Sequence, residues 1–122
     1  MPTEEIYLVI GSNIGDSITI VEQALEALDR ISGCKLRGRS SLYRSAAVSD
    51  IPQDDYINAV ARLDTELEPL TLLLEIQAIE HAYYRNREGG QRWAPRTLDI
   101  DIILFGGRSI NDSHLIIPHP EF

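Results

Sequence analysis

Several features that would place a chain in a special class are scarce or missing in this sequence. Its one cysteine, Cys34, rules out a disulfide within the chain and any site built from several thiolates. No apolar run approaches the ~18 residues that a membrane-spanning helix needs. Residues 1–5 are acidic and lead straight into a strand-like run, unlike a secretory signal. We therefore expect a cytoplasmic protein that does not enter the membrane.

Lysine is almost absent too, and the basic residues that remain are unevenly placed. Only one of the 11 basic residues is a lysine, and the net charge is −8, which argues against general nucleic-acid binding. Four arginines lie between Arg85 and Arg96. Because a guanidinium grips phosphate or carboxylate oxygens in pairs, this segment either binds an anion or is a solvated loop that neutralises nearby acids.

The length and the hydrophobic pattern predict one small α+β domain covering residues 1–122. Periods of two and of 3.6 residues alternate along the chain, with Gly and Pro between them. The predicted strands are 6–10, 35–45, 56–65 and 98–105, and the predicted helices follow Asp16 or Ser17 and Pro69. The tail from Arg108 is expected to be mostly extended or loop. This β-α-β-β-α-β order is ferredoxin-like, an antiparallel sheet with both helices on one face.

The last predicted strand carries two aspartates among apolar residues, in Leu98-Asp-Ile-Asp-Ile-Ile-Leu-Phe105. Such a strand is expected to be central and buried, where carboxylates are costly unless they are paired or bound to metal. Since strand side chains alternate, Asp99 and Asp101 should point to the same face. They can converge on Mg²⁺, which prefers oxygen ligands, or they can pair with nearby arginines.

Other side chains are candidates for a site, each with a plainer alternative. Tyr56 and Asn58 share a strand face and suit a planar heterocycle, but an exposed Tyr and Asn would look the same. His119, between two prolines, is either a phosphate donor or a turn residue. Trp93 either closes over a ligand or anchors its loop. The pair one helical turn apart, Gln77 and Glu80, faces either a nucleotide or water.

One glycine-rich stretch imitates a phosphate-binding loop. Gly11-Ser-Asn-Ile-Gly15 lacks the Gly-Lys-Ser/Thr ending of a Walker A motif. We interpret it as a tight turn from strand to helix, with Asp16 as the helix cap. Any ATP bound by this chain is then not held in the P-loop manner.

Five segments together resemble the 6-hydroxymethyl-7,8-dihydropterin pyrophosphokinases. They run in the family order over nearly the whole chain, and the Arg-Trp-x-Pro-Arg-x-Leu-Asp-x-Asp string is the most specific of them. The segments are Gly11-Ser-Asn-Ile-Gly-Asp16, Ser41-Leu-Tyr-Arg44, Asp55-Tyr-Ile-Asn58, Arg92-Trp-Ala-Pro-Arg-Thr-Leu-Asp-Ile-Asp101 and Ile117-Pro-His-Pro120.

The resemblance implies transfer of pyrophosphate from ATP to the hydroxymethyl group of the pterin, with release of AMP, in folate biosynthesis. It implies a pair of Mg²⁺ ions held by Asp99 and Asp101, which with Arg85 and Arg96 form the implied catalytic group. The residues with an implied role toward ATP are Gln77, Glu80, Arg85, Arg87, Arg92, Trp93, Arg96 and His119. The residues with an implied role toward the pterin are Ser45, Val48, Tyr56, Asn58 and Asp99.

The sequence ends at Phe122, before an arginine that contacts ATP and a phenylalanine that stacks on the pterin in the family. The pterin is then expected to lack one aromatic face, unless Phe122 or a partner chain supplies it. Two alternatives to an active enzyme stay open: a non-catalytic relative that binds ATP or pterin, and a ferredoxin-like regulatory module. The expected partners are small molecules, and the expected state is a monomer or a weak homodimer.

Overall fold

The computed structural model describes residues 2–13, 15–46, 55–84 and 98–122. The elements in chain order are β1 (Glu4–Ser12), α1 (Ser17–Asp29), β2 (Cys34–Arg39), β3 (Tyr43–Ser45), β4 (Tyr56–Thr65), α2 (Pro69–Tyr84), β5 (Asp99–Phe105), β6 (Ile110–Asn111) and β7 (Ile116–Ile117).

The main sheet has the order β2-β4-β1-β5, and every neighbouring pair is antiparallel. The two strands that flank each helix in sequence are not neighbours in the sheet. β4 lies between β1 and β2, and β1 lies between β4 and β5. This split arrangement confirms the predicted ferredoxin-like α+β fold.

The core lies on one face of this sheet, under both helices. Ile6, Leu8 and Ile10 alternate along β1 and are fully buried. They belong to one apolar cluster with residues of both helices, among them Leu25 and Leu72. The side chains at the intervening strand positions therefore point to the opposite face, which neither of the two described helices covers.

Helix α1 begins as the sequence predicts, at an aspartate cap. The Asp16 carboxylate accepts the backbone N–H of Thr19 at 3.2 Å and its hydroxyl at 2.8 Å. Such a cap satisfies N–H groups that have no partner within the helix. After the helix ends at Asp29, the chain turns at Gly33, whose φ of +87° lies in the left-handed region that glycine adopts without strain.

The predicted strand over residues 35–45 is divided into β2 and β3, which pair with different parts of β4. Between them Ser40 still bonds to β4, since its N–H donates to the Val60 carbonyl at 2.8 Å. Its hydroxyl, rather than a main-chain carbonyl, accepts the Val60 N–H at 2.8 Å. A serine hydroxyl thus replaces a carbonyl of the ladder, which interrupts the strand.

The prediction that the aspartate strand is central was wrong. Strand β5 is the last strand in the sheet order. Among the described residues, β1 is the one strand that is hydrogen-bonded to it. Ile100, Ile102 and Phe105 are buried all the same, because the tail packs along the strand and contributes Leu115 and Ile117 to the core. The N–H of His119 bonds to the Ile103 carbonyl at 3.1 Å.

The tail, expected to be mostly loop, contains a small hairpin. Strands β6 and β7 pair Ile110 with Ile117 and Asn111 with Ile116. Two residues per strand are too few to show a period of two in the sequence, so the pattern gave no signal for them. The hairpin places the residues that follow it, 118–122, beside β5.

Candidate functional site

Polar side chains gather on the helix-free face of the sheet, near one end of β1. Strand register sets Asp99 of β5 and Asn58 of β4 on either side of Gly11 of β1. A cleft of about 210 Å³ opens there. It is lined by Val9, Gly11, Ser45, Tyr56, Asn58, Asp99, Asp101 and Phe122.

The two aspartates lie on the same face, as the strand spacing predicts. Both are half-buried, whereas Ile100 between them is buried in the core. Both carboxylates line the cleft. Two acidic side chains two residues apart, facing an open space, form a set of oxygen donors that suits a hard cation.

The tail brings His119 to Asp101. The imidazole Nε2 lies 3.7 Å from Asp101 Oδ1, and its Nδ1 accepts the N–H of Glu121 at 3.0 Å. A neutral imidazole that accepts at Nδ1 carries its proton on Nε2, so that proton faces the carboxylate side of the cleft. The Phe122 ring meets the imidazole edge-on, with ring centroids 5.0 Å apart.

Asn58 is held by a hydroxyl of the neighbouring strand. Its Nδ2 donates to Ser45 Oγ at 2.7 Å, and its side chain is 9% exposed. With Nδ2 engaged in this way, the carbonyl oxygen Oδ1 is the end of the amide that lies over Gly11. The pair therefore presents a fixed acceptor inside the cleft.

Tyr56 forms an aromatic wall of the cleft. Partial burial, and then the negative charge of Asp99, raise the pKa of its phenol. Both effects disfavour the phenolate, so the ring stays neutral at physiological pH. A neutral aromatic face next to a fixed amide oxygen suits a planar, hydrogen-bonding ligand.

Glu80 of α2 reaches the outer edge of β5. Its Oε2 accepts the N–H of Ile100, the residue between the two aspartates, at 2.8 Å. Without a strand on that side among the described residues, this N–H depends on the side chain for a partner. Gln77, one turn earlier, is exposed. The predicted roles of both residues toward a nucleotide stay predictions.

A larger groove of about 500 Å³ opens beside the start of α1, lined in part by Asp16, Arg44 and Asp55. Asp16 is used as the helix cap, and the Arg44 guanidinium lies 4.0 Å from the Asp55 carboxylate. These charges are engaged within the fold. The smaller cleft is therefore the better candidate for the chemistry, despite its smaller volume.

The family model for 7,8-dihydro-6-hydroxymethylpterin-pyrophosphokinase matches residues 7–122. The chain belongs to this family. The match begins at residue 7, inside β1, and covers all later strands and helices, including the strand with the two aspartates and the Pro-His-Pro tail.

Curated relatives agree with the family assignment. Three of them, from the organisms that follow, carry the name 2-amino-4-hydroxy-6-hydroxymethyldihydropteridine pyrophosphokinase. The protein from Haemophilus influenzae is 42% identical over 113 residues, which are 93% of this chain and 69% of that protein. The protein from Pseudomonas putida is 41% identical over 118 residues, 96% of this chain and 95% of that protein. The protein from Bacillus subtilis is 39% identical over 115 residues, 94% of this chain and 68% of that protein.

The structure brings together part of the site that the pyrophosphokinase resemblance implies. Ser45, Tyr56, Asn58, Asp99 and Asp101 line one cleft, and His119 contacts Asp101. Six implied site residues lie outside the described residues: Val48, Arg85, Arg87, Arg92, Trp93 and Arg96.

Sequence reasoning gave no role in this cleft to Val9 or Gly11. Gly11 was assigned to the turn before α1, but it lies inside β1. A glycine within an apolar strand signals a close approach of other groups, so the sequence did carry a signal for it.

Within residues 2–13, 15–46, 55–84 and 98–122, no group of three or more His, Cys, Asp or Glu side chains is placed to hold a metal ion. A site for Mg²⁺ would thus rest on two carboxylates plus ligands from substrate and water, which is the usual Mg²⁺ arrangement. Neither described helix is long and apolar enough to cross a membrane.

Proposed function

We propose that this chain transfers the pyrophosphoryl group of ATP to the hydroxymethyl oxygen of 6-hydroxymethyl-7,8-dihydropterin, and that the cleft is where the transfer occurs. The family assignment supports the reaction. The observation that carries the location is the convergence of Asp99 and Asp101 with Asn58 and Tyr56 on the helix-free face of the sheet.

The pterin occupies the side of the cleft formed by β3 and β4. Its ring lies against Tyr56, and its N–H edge donates to the fixed Oδ1 of Asn58, which Ser45 holds in place. This binding leaves the hydroxymethyl group free to face the aspartates of β5. The described part of the chain thus orients the nucleophile, which is the main task in a phosphoryl transfer.

The reaction forms a bond from the hydroxymethyl oxygen to the β-phosphorus of ATP and breaks the bond from that phosphorus to the oxygen shared with the α-phosphate. AMP leaves with the electrons of the broken bond, and the proton of the hydroxyl group passes to water. Asp99 and Asp101 would hold Mg²⁺, which when bound neutralises phosphate charge. His119 directs its Nε2–H toward the same region and supplies a donor for a phosphate oxygen.

The remaining phosphate contacts are assigned from the family resemblance. Arg85, Arg87, Arg92 and Arg96 would grip phosphate oxygens, since guanidinium groups bind them in pairs. Trp93 would close over the nucleotide, and the backbone near Val48 would line the pterin pocket. These assignments rest on motif positions in the sequence.

The proposal is tested by measuring AMP release from ATP in the presence of the pterin and Mg²⁺, with Asp99→Asn and Asp101→Asn as variants. Each asparagine keeps the shape of the side chain but removes the charge. We expect each variant to lose at least ~100-fold in turnover, since a preorganised charge at the reacting phosphate is worth several kcal/mol, and to keep its thermal midpoint.

Asp64→Asn is the matched control, because Asp64 is a β4 aspartate on the same sheet face, paired with Arg37 at 2.9 Å outside the cleft. It should retain turnover. Near-normal AMP release by Asp99→Asn or Asp101→Asn would refute the assigned roles. Calorimetry with a non-hydrolysable ATP analogue, with and without Mg²⁺, completes the test, because an absence of magnesium-dependent binding would remove the kinase proposal altogether.

A further inference from the structure

Gly11 occupies a strand position where glycine is otherwise unfavourable. It lies inside β1 and pairs with Asn58 on one side and Asp99 on the other. Glycine within a strand costs roughly 0.5–1 kcal/mol relative to alanine. Its φ is not among the positive values of the described residues, so backbone conformation does not require glycine here.

The atoms packed above Gly11 explain why glycine occupies this position. A Cβ atom at this position would lie 2.9 Å from Asn58 Oδ1 and 3.6 Å from Tyr56 Cδ1. The first distance is shorter than carbon and oxygen atoms tolerate without movement. The bare backbone of Gly11 is therefore the surface over which the Asn58 amide lies.

Asn58 has little freedom to give way. It is 9% exposed, and its Nδ2 is bonded to Ser45 Oγ at 2.7 Å. Moving Oδ1 away from a new methyl group would rotate the amide and strain or break that bond. The cost falls on a part-buried hydrogen bond, so a change at Gly11 changes the position of the acceptor in the cleft.

We propose that Gly11 is a positioning residue of the pterin subsite. By lacking a side chain, it lets Asn58 present Oδ1 to a planar heterocycle that carries an N–H donor beside the Tyr56 ring. This inference deepens the proposed function and rests on it. Gly11 acts through Asn58 and does not itself contact the reacting phosphate.

Gly11→Ala tests the inference, and Gly38→Ala is its matched control. Gly38 is also a strand glycine, in β2, but a Cβ atom there meets nothing within 4 Å. We expect Gly11→Ala to raise the calorimetric Kd and the KM for the pterin by about 10- to 100-fold, the range that one misplaced methyl-sized group produces. The Kd for an ATP analogue should change less than about twofold. Gly38→Ala should leave all of these values unchanged.

A double-mutant cycle with Asn58→Ala separates this mechanism from a general distortion of the strand. If Gly11 acts through Asn58, adding Gly11→Ala to Asn58→Ala should weaken pterin binding by less than about threefold. A full further loss in that background would overturn the inference, as would a Gly11→Ala variant that binds pterin like Gly38→Ala. Should Gly11→Ala alone fail to fold, the double variant must fold for the inference to stand.

One readout needs no ligand and distinguishes this inference from the proposed function. The side-chain amide resonances of Asn58 should shift in Gly11→Ala and stay unchanged in Gly38→Ala. Unchanged resonances in Gly11→Ala would overturn the inference alone. Failure of the wild-type chain to bind the pterin would instead overturn the proposed function.

Discussion

Replacing Glu80 by alanine removes the acceptor that holds the outer edge of β5 between the two aspartates. The carboxylate accepts the Ile100 N–H at 2.8 Å in a part-buried position, and Ile100 is 5% exposed. A hydrogen bond to a charged group contributes roughly 1.5–3 kcal/mol, and its loss here leaves a buried N–H without that partner. We expect a loss of about 2 kcal/mol of unfolding free energy, equivalent to a fall of about 8 °C in the thermal midpoint.

The same loss should be visible locally, at the amide that Glu80 holds. Amide exchange at Ile100 should accelerate by about 30-fold, the factor that corresponds to about 2 kcal/mol. Because β5 carries both aspartates, a small displacement should also lower AMP release by more than about tenfold. Glu80→Gln keeps an acceptor oxygen and should restore most of the stability and the exchange protection.

Glu75→Ala is the matched control, since Glu75 is an exposed glutamate on the same helix. It should change stability by less than about 0.5 kcal/mol. The reasoning is refuted if Glu80→Ala weakens binding of an ATP analogue while exchange at Ile100 and the thermal midpoint stay at wild-type values. That result would make Glu80 a direct nucleotide ligand, the role that the family resemblance implies.

Two further outcomes are expected. The Arg39 guanidinium donates hydrogen bonds to the Glu22 carboxylate at 2.7 and 3.1 Å and lowers the pKa of that carboxyl. The pair therefore stabilises the folded state above the ordinary glutamate pKa, and this stabilisation is lost as pH falls through the lowered pKa. Carbon NMR should show the Glu22 midpoint below its ordinary value and a return toward it in Arg39→Met; an unmoved midpoint would contradict the ion pair. Phe122→Ala, which removes an aromatic ring from the cleft, should raise the KM for the pterin by about 2- to 13-fold, since an aromatic pair is worth about 0.5–1.5 kcal/mol. An unchanged KM would mean that this ring does not meet the pterin.

The elements with long, regular patterns could be read from the sequence. β4 has the predicted limits, Tyr56–Thr65, because ten residues of alternation leave little choice of register. Helix α1 follows Asp16 because an aspartate before an apolar period is a strong start signal. The shared face of Asp99 and Asp101 follows from strand geometry alone.

The position of β5 in the sheet could not be read in the same way. Its core-facing residues Ile100 and Ile102 are buried by the tail and by the helix layer, and the hydrophobicity of a residue does not reveal which neighbour buries it. The break between β2 and β3 depends on the hydroxyl of Ser40, a single long-range contact. The bond from Glu80 to Ile100 joins residues 20 positions apart and leaves no local pattern.

Contacts from helix α2 and from the tail also cover the outer edge of β5. An uncovered edge strand offers main-chain groups to any other chain with a strand to add, which is a route to aggregation. Here Glu80 occupies the N–H of Ile100, and the His119 N–H occupies the carbonyl of Ile103. The contacts that place the aspartates and the histidine therefore also occupy two main-chain groups at this edge. Substitutions that loosen the tail should therefore increase association between chains and lower turnover together.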